Sequence, residues 1–362
     1  MSARLASLRY MLMNLFLVAF IAALLVGGWL IWVPIVLAML VGGPIDELVG
    51  DNAAPVQRGW TRFYDVNLYL TLPLLAIIIG LLFRHAVDSS SWAALLGPTI
   101  GAGYFYALAG VTVAHELTHR TTSSLARLCA RALFALTINP TFETYHVHGH
   151  HRNVGTFDDA ATARRGEYAL AFVVRTVIGQ SVAGWRIEAE RLRGKAMSVL
   201  SLRNRVSGGL FLSLVILGIA AVSAGLAGIM VFLAAAAFGR VLHELVNYVQ
   251  HYGLVRAEGT LIEARHSWDC YRDLSNALQY NLPRHADHHM FAAKEFWELA
   301  PAASSPKLPR GYETMALIAL FPPLWHGLID PLLANWDRAL ATNAERSLVQ
   351  ASGWSVGRQA LH

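Results

Sequence analysis

MLMNLFLVAFIAALLVGGWLIWVPIVLAMLV, residues 11–41, carries no charged residue. With its flanks this run would extend roughly 45–50 Å as a single helix, against roughly 30 Å of bilayer hydrocarbon, so it reads as two spans. Gly27, Gly28 and Pro34 offer the break between them. Further along, apolar stretches predict spans near Val66 to Phe83, Trp92 to Ala114, Leu210 to Ala224 and Leu226 to Val246. Pro98 and the glycines of the fourth are tolerable where neighbouring helices accommodate them. The expectation is an all-α integral membrane protein with about six transmembrane helices and a histidine-rich helical domain on the cytoplasmic side.

Composition agrees. Hydrophobic residues make up 55% of the 362 positions and charged ones only 15%, with positive mean hydropathy, which suits a polytopic chain whose solvent is lipid. The start at Met1 does not read as a cleavable signal, because a second apolar segment follows at once without a small-residue cleavage site. Two cysteines, Cys129 and Cys270, are too few for a disulfide framework, a zinc ribbon or a four-thiolate iron–sulfur cluster.

Thirteen Lys or Arg residues lie between Glu116 and Ser207, including Arg120, Arg152, Arg165, Arg186 and Lys195. The short turns near 27, 85 and 225 carry almost none, so the positive-inside rule directs the long loop to the cytoplasm. The chain then divides into spans one to four (1–114), a cytoplasmic helical region (115–208), spans five and six (209–250) and a second cytoplasmic region (251–362). Met315 to Leu328 is too short to span and is expected at the interface or as a cap on the polar domain. The final twenty residues are expected to be peripheral. The net charge of +5 sits in the inward loop and implies no nucleic-acid partner.

Four tight stretches, HELTH (115–119), HVHGHH (146–151), NYVQHYG (247–253) and RHADHH (284–289), hold ten of the fifteen histidines, of which nine, all but His148, form the groups. His115 and His119 are one helical turn apart; His285, His288 and His289 follow Pro283 at spacings that place them on one face of a first turn. His146, His150 and His151 repeat the pattern, and His251 follows span six closely enough to reach the depth of His115. Span counting brings all four groups to one side of the membrane, where so many imidazoles exceed what one zinc uses and imply a multi-metal centre. The ungrouped histidines, His85, His148, His243, His266, His326 and His362, are expected to be structural, with His148 and His243 the nearest to exceptions.

HELTH also matches the zinc metalloprotease signature, with Glu116 as the base. An intramembrane protease would need one further ligand and leave the other grouped histidines idle. A metal transporter would place its site near the midplane, inside the spans.

HELTHR, HVHGHH, the HYG of NYVQHYGLVR and LPRHADHH together resemble the integral-membrane non-haem di-iron monooxygenases that include bacterial alkane hydroxylase and xylene monooxygenase, relatives of the histidine-box fatty acid desaturases. The likeness continues through FDDAATARRGEYALAF (157–172), WRIEAERLRGKAMSVLS (185–201) and PPLWHGLIDPLLANWD (322–337). The HYG motif points to the hydroxylases rather than the desaturases. LPRHADHH resembles the alkane branch, and the tail from Trp336 to Trp354 the xylene branch. Tyr145 stands where alkane hydroxylases tend to have an acid.

The resemblance implies two Fe2+ ions held by His115, His119, His146, His150, His151, His251, His285, His288 and His289, with O2 as co-substrate. The expected reaction takes hydrogen from an unactivated C–H bond and returns hydroxyl, giving an alcohol; a fatty acyl desaturase of the same superfamily is the alternative. Glu116, Asp158, Asp159, Glu244 and Asp287 are candidates to accept the spare ring N–H groups, with Glu116, Asp159 and Asp287 the selected set. Electrons are expected from a soluble donor, rubredoxin with its reductase or an iron–sulfur flavoprotein reductase, docking on the arginines of the 120–205 loop. An apolar substrate would enter sideways from the lipid of a bacterial inner membrane. Gly101, Ala102, Gly103, Ala107 and Ala109 of span four could leave it room, or serve tight helix packing.

Overall fold

The structure is a computed structural model that describes residues 7–54, 60–201 and 203–353; His362 lies outside the described residues. It contains helices and two isolated bridges, with no strand among the described residues. Among the described residues four helices are long and apolar enough to cross a membrane, α1 (Leu8–Val26), α4 (Thr61–Asp88), α5 (Trp92–Thr118) and α9 (Arg205–His251). Between α1 and α4 lies a bent pair, α2 (Gly28–Leu40) and α3 (Gly42–Val49), at 41° to each other, which makes five spans if it counts as one. The chain is thus a multi-pass membrane protein. The apolar run 11–41 divides at Gly27 and Gly28, both in the left-handed region, where glycine alone is unstrained.

A straight 47-residue helix would be about 70 Å long, over twice the hydrocarbon thickness. Instead α9 breaks at Gly225 (φ 58°, ψ −144°). The chain then doubles back, so that a Cβ on Gly228 would sit 2.6 Å from the Ala220 carbonyl oxygen. Both arms return to one loop, Gly209 against Pro140 and Gly239 against Thr137. Only 17% of its most apolar window is buried in protein. Val222 and Leu226 at the hairpin tip are 91% and 71% exposed, a surface that lipid rather than water suits.

The returning arm of α9 packs on α4 and α5. The α5 crossing is close because both contact positions are glycine: a Cβ on Gly103 would lie 2.5 Å from the Ala235 carbonyl oxygen, and one on Gly239 2.7 Å from that of Gly103. Gly101 is likewise filled by Phe20 and Ile35. Gly101 and Gly103 therefore serve packing, whereas Ala107 faces a cavity.

The polar half is built from α6 (Ser124–Ala135), α7 (residues 142–153), α8 (Ala169–Arg193), α10 (Asp273–Leu278), α11 (His285–Met290), α12 (Tyr312–Ala319), α13 (Pro322–Ala339) and α14 (Asn343–Ala351). Tyr248 and Tyr252 pack with Trp325, Ile329, Leu333 and Trp336 of α13 in a second core. Gly253 of the HYG motif has φ +73°, and a Cβ there would strike Leu333 at 2.8 Å. Its carbonyl accepts from Arg165 Nε at 2.8 Å, while Arg165 pairs with Asp337 at 2.7 Å. These contacts fix the chain directly after His251.

The C-terminal segment is less peripheral than expected. Glu345 of α14 is 1% exposed, and it accepts from His266 Nε2 at 2.8 Å and from Arg265. Burial raises the Glu345 carboxyl, but the hydrogen bonds from His266, the Thr342 amide and Arg265 outweigh it and hold the group at about 2. A depressed carboxyl contributes stability that is present above its unfolded value and lost as pH falls through its folded one. Hydrogen-exchange protection of α14 is therefore expected to fall between pH 4.5 and about 2, and Glu345→Gln to remove that dependence.

Candidate metal centre

Four separate stretches of chain deliver the histidines. His115 lies in the last turn of α5 and His119 just beyond it, His251 ends α9, and α7 and α11 enter from the connecting segments. Two sets result: His115, His119, His146, His151 and His288 in one, His150, His251, His285 and His289 in the other, the donor atoms of each set lying within 4.8 Å of one another.

The sequence spacing suggested that each group would share a face, and the structure refines this. Residues His146–His150 form a π-helical turn, which brings positions five apart onto one side. His151 Nε2 lies 3.0 Å from His146 Nε2, and His150 turns to the other set. α11 splits similarly, with His288 Nε2 3.1 Å from His151 Nε2 and His289 Nε2 3.0 Å from His285 Nε2. Each His–His pair thus sends one ring to each set, which makes the two sets immediate neighbours.

The donor chemistry fits metal. Imidazole nitrogens at 3.0–3.1 Å cannot all be explained as hydrogen bonds among rings that are also buried. The Nε2 atoms of His115 and His150 are buried and have no hydrogen-bond partner among the described residues. Burial first, and then adjacent imidazoles, keep His146, His151, His285, His288 and His289 well below the usual histidine range; His119 is pushed down to about 3. The neutral ring is the ligating form.

Asp159 is the carboxylate that reaches a ring: its Oδ2 accepts from His150 Nδ1 at 2.9 Å. It also accepts from the Tyr145 hydroxyl and from Thr162 Oγ1, so Tyr145 supports an acid. Burial raises the Asp159 carboxyl, but His150 and these donors together hold it below its ordinary value. Glu116 instead accepts from the Phe296 amide and pairs with Arg120. Asp287 binds Lys294 and the Ala300 amide. Glu244 bonds Gln180, Asn247 and Arg240, and Asp158 is exposed. Asp159→Asn is expected to weaken metal binding by roughly 10–100-fold, the usual cost of losing an orienting partner, as read by competition with a chelator. Unchanged affinity would mean that His150 is oriented otherwise.

The ungrouped histidines have other partners. His85 bonds the Leu24 carbonyl, His148 lies by Arg205, His266 pairs with Glu345 and His326 with Asp330. His243 stacks edge-on against Phe142 and lines a cavity.

That cavity has about 940 Å3 of open space, its mouth included. It reaches His115 and His146 of one set and His285 of the other, and its wall is largely apolar, with Leu108, Val111, Leu242 and Val246 among its residues. Its polar members, Tyr104, Asn247, Gln250, Gln279, Tyr312 and Glu313, were not singled out from the sequence, because isolated polar residues in apolar helices give no spacing signal. Arg120, Arg131, Arg165, Arg175 and Arg191 are engaged in ion pairs. The loop charge available to a partner is accordingly smaller than the sequence count.

This fold and its two imidazole sets belong to one class: the chain is a member of the fatty acid desaturase family, whose pattern it matches over residues 89–318. Among its relatives, alkane 1-monooxygenase 1 of Pseudomonas aeruginosa is 34% identical over 312 residues, covering 82% of this chain and 81% of that protein. The xylene/toluene monooxygenase hydroxylase component XylM of Pseudomonas putida is 31% identical over 300 residues, covering 82% and 81%. Alkane 1-monooxygenase of Pseudomonas putida is 30% identical over 323 residues, covering 85% and 80%. These relatives are oxygen-dependent monooxygenases by name, and neither a protease nor a transporter is among them.

Proposed function

We propose that this chain is a membrane monooxygenase that inserts one oxygen atom of O2 into an unactivated C–H bond, at the terminal methyl of an alkane or the alkyl side chain of an aromatic hydrocarbon. The observation that carries this reading is the convergence of nine imidazoles into adjacent five- and four-membered sets at the end of one apolar cavity. The nine histidines would hold two iron ions, which supply the activation of dioxygen that no side chain can perform. Every other task falls to the chain. Neutral rings leave the metal charge unneutralised, Asp159 fixes the tautomer of His150, and the apolar wall holds substrate and excludes water. Glu116 and Asp287 serve by bracing the first and fourth histidine groups through Arg120, Lys294 and the backbone of 296–300.

Six crossings follow if the bent pair is one and the two arms of α9 are two, with the metal centre on the cytoplasmic side of a bacterial inner membrane. Electrons would come from rubredoxin with its reductase or from an iron–sulfur flavoprotein reductase. Exposed Arg152, next to His151, and Arg164, Arg186, Arg193, Lys195 and Arg203 are among the positive groups outside the ion pairs above. Donor-supported turnover is therefore expected to fall with rising salt, and a rate insensitive to salt would count against charge-guided docking.

The activity is tested by supplying octane, xylene and p-cymene with a reductase system under isotopically labelled dioxygen. Label in an alcohol is the expected result. An unsaturated, unlabelled product would make the chain a desaturase.

A further inference from the structure

Along α5, Tyr104, Ala107, Leu108, Val111, Thr112 and His115 all line the cavity. At 1.5 Å per residue Tyr104 lies about 16 Å along the helix from His115, so the cavity has a metal end and a distal end. Tyr104 is 5% exposed, and its hydroxyl has no hydrogen-bond partner among the described residues. Glu313 of α12 lines the same cavity and is partly exposed. Its two carboxylate oxygens accept from Gln279 Nε2 at 2.9 Å and Ser275 Oγ at 3.0 Å, which leaves lone pairs free. Closer along the wall, the Gln250 side-chain amide and the Tyr312 hydroxyl face each other and can satisfy one another. The buried, unpartnered Tyr104 hydroxyl at the distal end is a group that a purely hydrocarbon ligand cannot satisfy.

Resting on the hydroxylase reading above, we propose that the preferred substrate carries a neutral hydroxyl at the end remote from the C–H bond attacked, anchored by Tyr104 and Glu313. A hydroxyl suits this pair because it accepts from the Tyr104 O–H and donates to the Glu313 carboxylate at once. A ketone could use only the first contact. A carboxylate would face Glu313 with no Lys or Arg among the described residues of the cavity wall to offset it, so free fatty acids are disfavoured. The apolar wall between the two ends takes the alkyl body. In the reaction, one atom of dioxygen enters the C–H bond at the metal end and the other leaves as water, with two electrons from the reductase and two protons, so an alcohol becomes a diol.

The test uses the metal-loaded protein in lipid nanodiscs with a reductase system, comparing 1-octanol with nonane, in which a methyl replaces the hydroxyl, and with octanoate. We expect 1-octanol to exceed nonane by at least tenfold in kcat/KM, octanoate to be the poorest, and the main product of octanol to be 1,8-octanediol. Tyr104→Phe, which removes one oxygen atom and leaves the ring, should lower the octanol-to-nonane ratio at least fivefold at unchanged metal content. An unchanged ratio in that variant, equal turnover of nonane and octanol by the parent protein, or octanal in place of the diol would each overturn the proposal. If neither compound is oxidised, the hydroxylase reading has failed. Equilibrium titration of the same metal-loaded protein then decides this one: tighter binding of octanol that Tyr104→Phe abolishes supports it, and equal binding refutes it.

Discussion

Alanine at His285 removes the metal from the four-histidine set and brings turnover below detection, while alanine at His326 leaves both intact. His285 Nε2 lies 3.0 Å from the Nε2 atoms of both His251 and His289, and the residue also borders the cavity. Removing it leaves three donors and opens the metal to the substrate side. The loss should exceed the roughly 10–100-fold that removing a mere orienting partner costs. His326 bonds Asp330 and Tyr252 on the far side of the second core. Metal analysis and labelled-oxygen turnover on both variants check this, and equal loss from the two would undo the ligand assignment.

Gly103→Val is expected to have the next largest effect, by a different route. Its Cβ would lie 2.5 Å from the Ala235 carbonyl oxygen and 3.0 Å from Phe238, and the backbone oxygen cannot swing away as a side-chain tip could. Overpacking of this kind costs about 1–3 kcal/mol, occasionally more. Here the wedge also separates α5 from α9, which carry His115 and His251. A fall in the thermal unfolding midpoint together with loss of metal is the expected outcome. Gly80 on α4 has nothing within 4 Å of its Cβ position, so Gly80→Ala should be neutral or slightly stabilising. If both variants behave alike, the close α5–α9 crossing is not what holds the two ligand sets in register.

The apolar runs and the histidine groups were legible in the sequence because each is a periodic or clustered signal with a direct physical reading. The break of α9 at Gly225 was legible for the same reason, a glycine between two lengths that each suit a bilayer. The sorting of the rings was not. An ordinary helix places His146 beside His150, and only the π-helical turn over His146–His150 puts His146 beside His151 instead. Such a turn is set by the surroundings of the helix and leaves no composition mark. The carboxylates were hard for another reason. An acid near a histidine in sequence can serve a ring, an arginine or a backbone amide, and Asp159, Glu116 and Asp287 divide among those tasks. The anchoring of α14 depended on His266 and Glu345, 79 residues apart, which no local pattern connects.

The most direct test of the central claim is metal analysis of the purified, active protein combined with X-ray absorption at the metal edge. Two irons per chain, each in an environment dominated by imidazole nitrogen, is the result expected from the five- and four-histidine sets. A single zinc in the active protein, or iron bound by carboxylate or thiolate in place of these rings, would contradict it.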